Sequence, residues 1–315
     1  MKMLDGIMGL VVGDALGVPV EFRSREQLKE TPVTDMQGYG TYDVPKGSWS
    51  DDSSMALATL AALEYGIDLN RIIDNFVAWE RNGEFTPAGE VFDEGITCRM
   101  AISNYIKFGD VEICGMADEK SNGNGSLMRI LPVCIYLAGV QSRGKMNDDN
   151  AIKTIHDVSA LTHAHMRSKM ACGIYYFCVR KIMNRMGTIL DLLQAGVDEA
   201  FAYYERRSES REELKYFDRI RDLTRFRQLA DEDINSGGYV IDSIEAALWC
   251  LLTTCSYAEC VLKAVNLGRD TDTTAAIAGG LAGLYYGYDK IPEEWKQDII
   301  RREWIERLCL DAQLN

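Results

Sequence analysis

Only six prolines interrupt the 315 residues of this chain, so long stretches are free to stay helical. The apolar residues in those stretches recur at helical spacing. Residues 54–65 (SMALATLAALEY) follow a Ser-Asp-Asp start and end before Gly66, which reads as a capped helix with a glycine stop. Residues 70–79 set Ile72, Ile73, Phe76 and Val77 at helical positions. The same reading gives helices over 127–140, 168–184, 188–204, 243–253 and 258–266. Residues 273–286 read as a helix made mostly of Ala, Gly and Thr, and such a helix lets neighbours approach closely, which places it at the centre of the fold. Alternating strand patterns are scarce: Val240 and Ile241 are too short a pair to carry a sheet, and no strand–helix–strand rhythm occurs. The charged stretch 205–215 and the polar stretch 141–150 read as solvated connections. Residues with chemical potential fall on both sides of each, so the expectation is one all-α domain over 1–315.

Composition removes several function classes. Asp and Glu outnumber Lys and Arg by 48 to 34, for a formal charge of −14. No basic run offsets this balance, which argues against binding nucleic acid or an anionic membrane surface. Three His are too few for a His-rich metal site, so any metal should be a hard, oxygen-liganded one such as Mg²⁺ or Mn²⁺. The nine Cys contain no CxxC pair and read as buried free thiols of a reducing compartment. Residues 1–20 lack the basic start and clean apolar core of a signal peptide. The longest uncharged run, 273–288, falls short of the roughly 20 residues a spanning helix needs. The expectation is a cytoplasmic protein, and a monomer, since no exposed heptad or broad apolar stripe is evident.

Two acid-hydroxyl turns each open an apolar helix. In 47–53 (GSWSDDS), Ser50 precedes the adjacent carboxylates of Asp51 and Asp52. Viewed alone, this is an N-terminal cap with acids complementing the helix dipole. One capping acid would suffice, however, and two neighbours repel each other unless a cation relieves them. In 267–274 (LGRDTDTT), Asp270 and Asp272 with Thr273 repeat the arrangement in a tight turn that lacks the further ligands of a calcium EF-hand. Four carboxylates and two hydroxyls together suit two Mg²⁺-like ions, which typically sit about 3.5–4 Å apart and clamp an oxygen-rich substrate. The segment 121–126 (SNGNGS) is either a plain turn or a backbone cradle for a phosphate at a helix start. His163 and His165 have the wrong spacing to share a metal on a helix, and either a ligand-bonding or a merely satisfied His fits the sequence. Residues 13–22 read as a helix end followed by a Pro-containing loop. No nucleophile elbow or Cys–His pair supports acyl chemistry.

GDALGVPVEF at 13–22, GSWSDDSSMA at 47–56, FDEGITCRMAI at 92–102, SNGNGSLMR at 121–129, LTHAH at 161–165 and NLGRDTDTTAAIAGGLAGLYYG at 266–287 occur in this order. Together they resemble the ADP-ribosylglycohydrolase family over nearly the whole chain. The resemblance implies a single all-α domain of orthogonal helices with a two-metal cleft. It implies that Ser50, Asp51, Asp52, Asp270, Asp272 and Thr273 hold two divalent cations, Mg²⁺ or Mn²⁺. It makes Glu21 the glutamate of a loop over the metals, and Asp93 an acid acting on arginine-linked substrates. Asp52 and Asp272 then belong to the catalytic set with Glu21 and Asp93. Gly95, Ser121, Gly123, Asn124, Gly125 and His163 become substrate contacts, the Asn-Gly loop cradling a diphosphate. The implied reaction releases ADP-ribose from a modified protein or small conjugate, with arginine as the first choice of linkage. The alternatives are a serine, O-acetyl, nucleobase or free-guanidine linkage, or a non-catalytic ADP-ribose binder. Glu94, Cys98 and Arg269 depart from the family pattern.

Overall fold

The computed structural model describes residues 2–184 and 186–312. Sixteen α-helices make up most of the described chain. They run α1 (Lys2–Gly17), α2 (Arg25–Glu30), α3 (Asp51–Ala62), α4 (Leu69–Asn82), α5 (Ile96–Phe108), α6 (Leu131–Ser142), α7 (Asp148–Ala160) and α8 (Met166–Asn184). The second half holds α9 (Ile189–Glu205), α10 (Ser208–Arg211), α11 (Leu223–Phe226), α12 (Val240–Leu252), α13 (Tyr257–Asn266), α14 (Thr271–Tyr286), α15 (Glu293–Asp298) and α16 (Arg302–Asp311). No strand occurs among the described residues, so the all-α expectation holds. Two isolated bridges join loops, pairing Met116 with His163 and Gly123 with Tyr239.

The small-residue helix α14 lies at the centre, buried from Thr271 to Leu284, and packs along α1. The approach is so close that glycine is required on α1. A Cβ on Gly13 would fall 2.1 Å from the Ala275 carbonyl oxygen, and one on Gly17 would fall 2.3 Å from Asp272 Cα. Helix α1 is buried from Gly6 to Gly17. By length and composition, residues Lys2–Val20 could cross a membrane, yet the whole window is buried within the fold. Because every face of α1 is covered, its sequence carries no amphipathic period, and the sequence reading recorded only its end.

Three other boundaries differ from expectation. Helix α6 begins at Leu131 rather than 127, because Pro132 sits in its first turn and the preceding residues form a turn with Met128 N donating to Asn124 O at 3.0 Å. Val240 and Ile241 open α12. The polar stretch after 141 is already helical from Asp148, capped by Asn147, whose side chain accepts from Asn150 N. Helix α5 went unread, since its N-cap is Gly95, with no side-chain capping bond. Eight Cys are buried free thiols, and only Cys255 is exposed.

Candidate active site

Three helix ends converge. The C-terminal turn of α1 meets the N-termini of α3 and α14, and Thr271 Oγ1 ties the junction by donating to Gly17 O at 2.8 Å. Ser50 caps α3 in an extended conformation, accepting from Asp52 N at 3.3 Å. Its hydroxyl also lies 2.9 Å from Asp14 Oδ1 and 3.0 Å from Asp52 Oδ2. Asp14, fully buried on α1, accepts from Ser50 N at 3.0 Å and Ser53 N at 3.0 Å, and from the Ser53 hydroxyl. The two turns, more than 200 residues apart, meet where Thr273 Oγ1 donates to Asp52 Oδ2 at 3.1 Å.

A cleft of about 420 Å³ opens beside this junction. Glu21, Asp51, Asp93, Gly95, Gly123, Asn124, Gly125, His163, Asp270 and Thr273 line it. Asp52 and Asp272 are each 1% exposed and lie beneath that lining. Ser50 and Ser121 do not reach it: Ser50 is spent on Asp14 and Asp52, and Ser121 Oγ donates to Asp118 at 2.7 Å. Gly95 N donates to Asp51 Oδ2 at 3.4 Å. Asn124 divides its amide N–H groups between Asp270 Oδ2 and Ser243 Oγ, each at 2.8 Å, so its side chain orients an acid. His163, 2% exposed, lies against the Gly-rich turn: a Cβ on Gly125 would fall 2.8 Å from its Cε1. That close approach is why the turn needs a glycine there.

The Glu21 segment is pinned over the cleft. Phe22 and Arg269 both take left-handed backbone (φ 66° and 67°), and they are cross-linked by Phe22 N to Arg269 O and Arg269 N to Arg23 O, each at 2.7 Å. Thr41 Oγ1 donates to Glu21 O at 2.7 Å. The Arg269 side chain lines a separate recess with Arg25 and Lys29 and is not among the residues lining the cleft. The Tyr42 phenol lies beside both Glu21 and Asp93 and partly offsets the lift on each carboxyl.

Crowding acids in a buried place raises their pKa values. Burial, then the Asp93 charge, push Glu21 up to about 8. Burial pushes Asp14 up to about 6, against the hydrogen bonds from Ser53 and Ser50. Burial first, and neighbouring carboxylates second, lift Asp51, Asp52 and Asp272 well above the usual carboxylate range. Asp93 and Asp270 rise through burial as well. None of these acids forms a salt bridge among the described residues, and no Lys or Arg figures among the leading influences on them.

Carboxylate oxygens of Asp14, Asp52 and Asp272 lie within 4.8 Å of one another, as do those of Glu21, Asp93 and Asp272. Asp272 belongs to both triads. Glu21 Oε2, Asp52 Oδ1 and Asp272 Oδ2 are buried without a hydrogen-bond partner. Orphaned buried oxygens in an all-oxygen donor set fit hard divalent cations. Asp51 and Asp270 face the cleft but fall outside the triads, while Asp14 enters one. Sequence reasoning missed Asp14 and Tyr42. A carboxylate set in the apolar run GLVVGDALGV was the available signal for Asp14. Tyr42 had none, since its partners lie 21 and 51 residues away.

An all-helical fold with a carboxylate-rich cleft at the meeting of three helix ends defines the class. The family model for ADP-ribosylglycohydrolase matches residues 1–314, and the chain belongs to this family of hydrolases. It is 30% identical over 310 residues to the ADP-ribosylarginine hydrolase Tri1 of Serratia proteamaculans, covering 98% of this chain and 78% of that one. It is 27% identical over 299 residues to the ADP-ribosyl-(dinitrogen reductase) glycohydrolase of Rhodospirillum rubrum, covering 93% and 88%. A solved ADP-ribosylglycohydrolase-related protein complex superposes with a TM-score of 0.80 at 28% identity, covering 99% of this chain and 96% of the other.

Proposed function

We propose that this protein removes ADP-ribose from arginine side chains, using a cleft that holds two divalent cations, Mg²⁺ or Mn²⁺. The observation that carries the reading is the pair of acid triads sharing Asp272, with three orphaned carboxylate oxygens, under a cleft that also displays the Asn-Gly turn and His163. Asp14, Asp52, Asp272, Glu21 and Asp93 would hold the cations, with Asp51, Asp270 and Thr273 bordering them and Ser50 fixing Asp14 and Asp52. When bound, such ions supply a water of lowered pKa and a template for sugar hydroxyls.

The chain's own residues do the rest. Hydrolysis breaks the bond between the anomeric carbon of the distal ribose and the guanidine nitrogen, through an oxocarbenium-like transition state. The ring of carboxylates favours the positive charge that develops there. Glu21, with a free oxygen and Tyr42 behind it, orients or deprotonates the attacking water. Asp93 at the cleft wall, beside Glu94, suits a cationic guanidinium as the leaving group. His163, Gly95 and the turn of Gly123, Asn124 and Gly125 border the space for the diphosphate, so binding energy far from the reacting carbon holds the sugar in place. Buried thiols accord with a cytoplasmic enzyme, and we take it to act as a monomer of one domain.

The test is a panel of ADP-ribose linked to arginine, serine, acetate and a nucleobase, incubated with Mg²⁺ or Mn²⁺. Fastest release from arginine supports the reading. Faster release from another linkage reassigns the leaving group, and binding of ADP-ribose without release from any conjugate marks a binder.

A further inference from the structure

Arg129 is the most anomalous charge in the molecule. It is fully buried and forms no salt bridge among the described residues. Its guanidinium lies 4.6 Å from the centroid of the Phe76 ring, and its Nε and Nη1 have no hydrogen-bond partner. Only Nη2 is engaged, donating to Val158 O at 3.1 Å and to Thr162 Oγ1 at 2.8 Å. Burying a guanidinium without a carboxylate partner is costly, and the Phe76 ring and two hydrogen bonds offset only part of that cost.

The Thr162 hydroxyl is itself 2.9 Å from His163 Nδ1. An Arg N–H can only donate, so Arg129 occupies a lone pair of Thr162 Oγ1 and leaves the hydroxyl hydrogen to be given elsewhere. The remaining direction for the hydroxyl hydrogen is His163 Nδ1. The His163 backbone is fixed independently, with N donating to Ser159 O at 2.8 Å and O accepting from Ser159 Oγ at 3.1 Å. On the other edge of the ring, Nε2 faces the Gly123–Gly125 turn and has no partner among the described residues. The opposite tautomer would turn a bare lone pair toward a cleft ringed by carboxylates.

We propose that Arg129 and Thr162 are positioning residues that hold the buried His163 ring as its Nε2–H tautomer, so that a neutral N–H donor faces an anionic oxygen in the cleft. The identity of that anion as the diphosphate of ADP-ribose rests on the proposed function; the tautomer does not. A neutral donor is suited to a site already dominated by acids and cations, because it bonds an anion without adding a charge that bound cations would repel. The Gly at position 125 is then a seat for the imidazole ring.

The test reads His163 directly. The chain has three His, so ¹⁵N-labelled protein gives three sets of imidazole signals to assign. Ligand-free wild type should show His163 as the Nε2–H tautomer. Thr162→Val should give a mixture of tautomers and weaken ADP-ribose binding about tenfold, the loss of one hydrogen bond to a charged group. Thr162→Ser, which keeps the hydroxyl, should restore both. Arg129→Met should loosen the tautomer as Thr162→Val does. An Nδ1–H tautomer in the wild type, or a wild-type tautomer in Thr162→Val, overturns the proposal. A wild-type spectrum in Arg129→Met removes Arg129 from it. If wild-type protein fails to bind ADP-ribose, the reading of the cleft fails while the spectra still decide the relay.

Discussion

Without divalent cations, the protein should grow more stable as pH falls from about 8 to about 6.5. Glu21 has an ordinary pKa of 4.5 and is lifted to about 8 in the folded chain by burial and by Asp93. Between these values the folded state keeps a proton that the unfolded state has lost. Stability then falls as pH rises, by about 1.4 kcal/mol per pH unit for each such proton. The penalty is absent below the unfolded value and complete above the folded one. Over 1.5 pH units, Glu21 alone accounts for about 2 kcal/mol. Asp51, Asp52 and Asp272 shift in the same direction and add to it. The lower edge of the window is set by His156 and His163, which burial holds near 3. Below about 6.5 the unfolded chain protonates both, which opposes the trend. At about 2 °C per kcal/mol for a chain of this size, Tm in EDTA should rise by about 4 °C or more from pH 8 to pH 6.5. Calorimetric melts would read it directly. Millimolar Mn²⁺ or Mg²⁺ should flatten or reverse the slope, because a cation selects the ionised acids that a proton would neutralise. A Tm in EDTA that is flat or falls on acidification across this window refutes the picture of crowded, uncompensated carboxylates.

Asp272→Asn removes the acid common to both triads; titration calorimetry should find cation binding lost and ADP-ribose release abolished, with an unchanged far-UV spectrum. Full activity in that variant would remove Asp272 from the site. Gly17→Ala forces a Cβ to within 2.3 Å of Asp272 Cα, so urea unfolding should show a loss of about 3 kcal/mol together with impaired catalysis. A wild-type urea midpoint would contradict the close packing of α1 on α14. Asn124→Ala frees Asp270 from its amide donor and should weaken cation affinity or activity about 10- to 100-fold, measured by Mn²⁺ titration of the rate.

Legibility in the sequence followed the reach of local signals. Of the helices with one wet face, α4, α9 and α13 are read to within a few residues while α7 and α16 are not, and α14 is placed at the centre from its small side chains alone. Helix α1 is buried on all sides and offers no period, whereas the equally buried α3 is legible through its Ser-Asp-Asp start; Asp14 escapes with α1, since its partners, Ser50 and Ser53, belong to the start of α3. The acid-hydroxyl turns were legible because each is a compact local pattern. That Asp272 joins two triads, or that Asn124 serves Asp270, depends on segments more than a hundred residues apart and could come only from the fold. The sequence reading also set Ser50 and Ser121 in the cleft, whereas their hydroxyls are consumed by neighbouring acids. Arg129 carried a weak sign, a cation inside the apolar stretch LMRILPV, but its partner Thr162 is visible only in three dimensions.

The most direct measurement follows ADP-ribose release from an ADP-ribosyl-arginine protein, using enzyme stripped with EDTA and then titrated with Mn²⁺. Activity should be absent after stripping and should return in full at two bound ions per chain. Full activity in EDTA, or no release from arginine at any Mn²⁺ concentration, would contradict a two-cation arginine hydrolase.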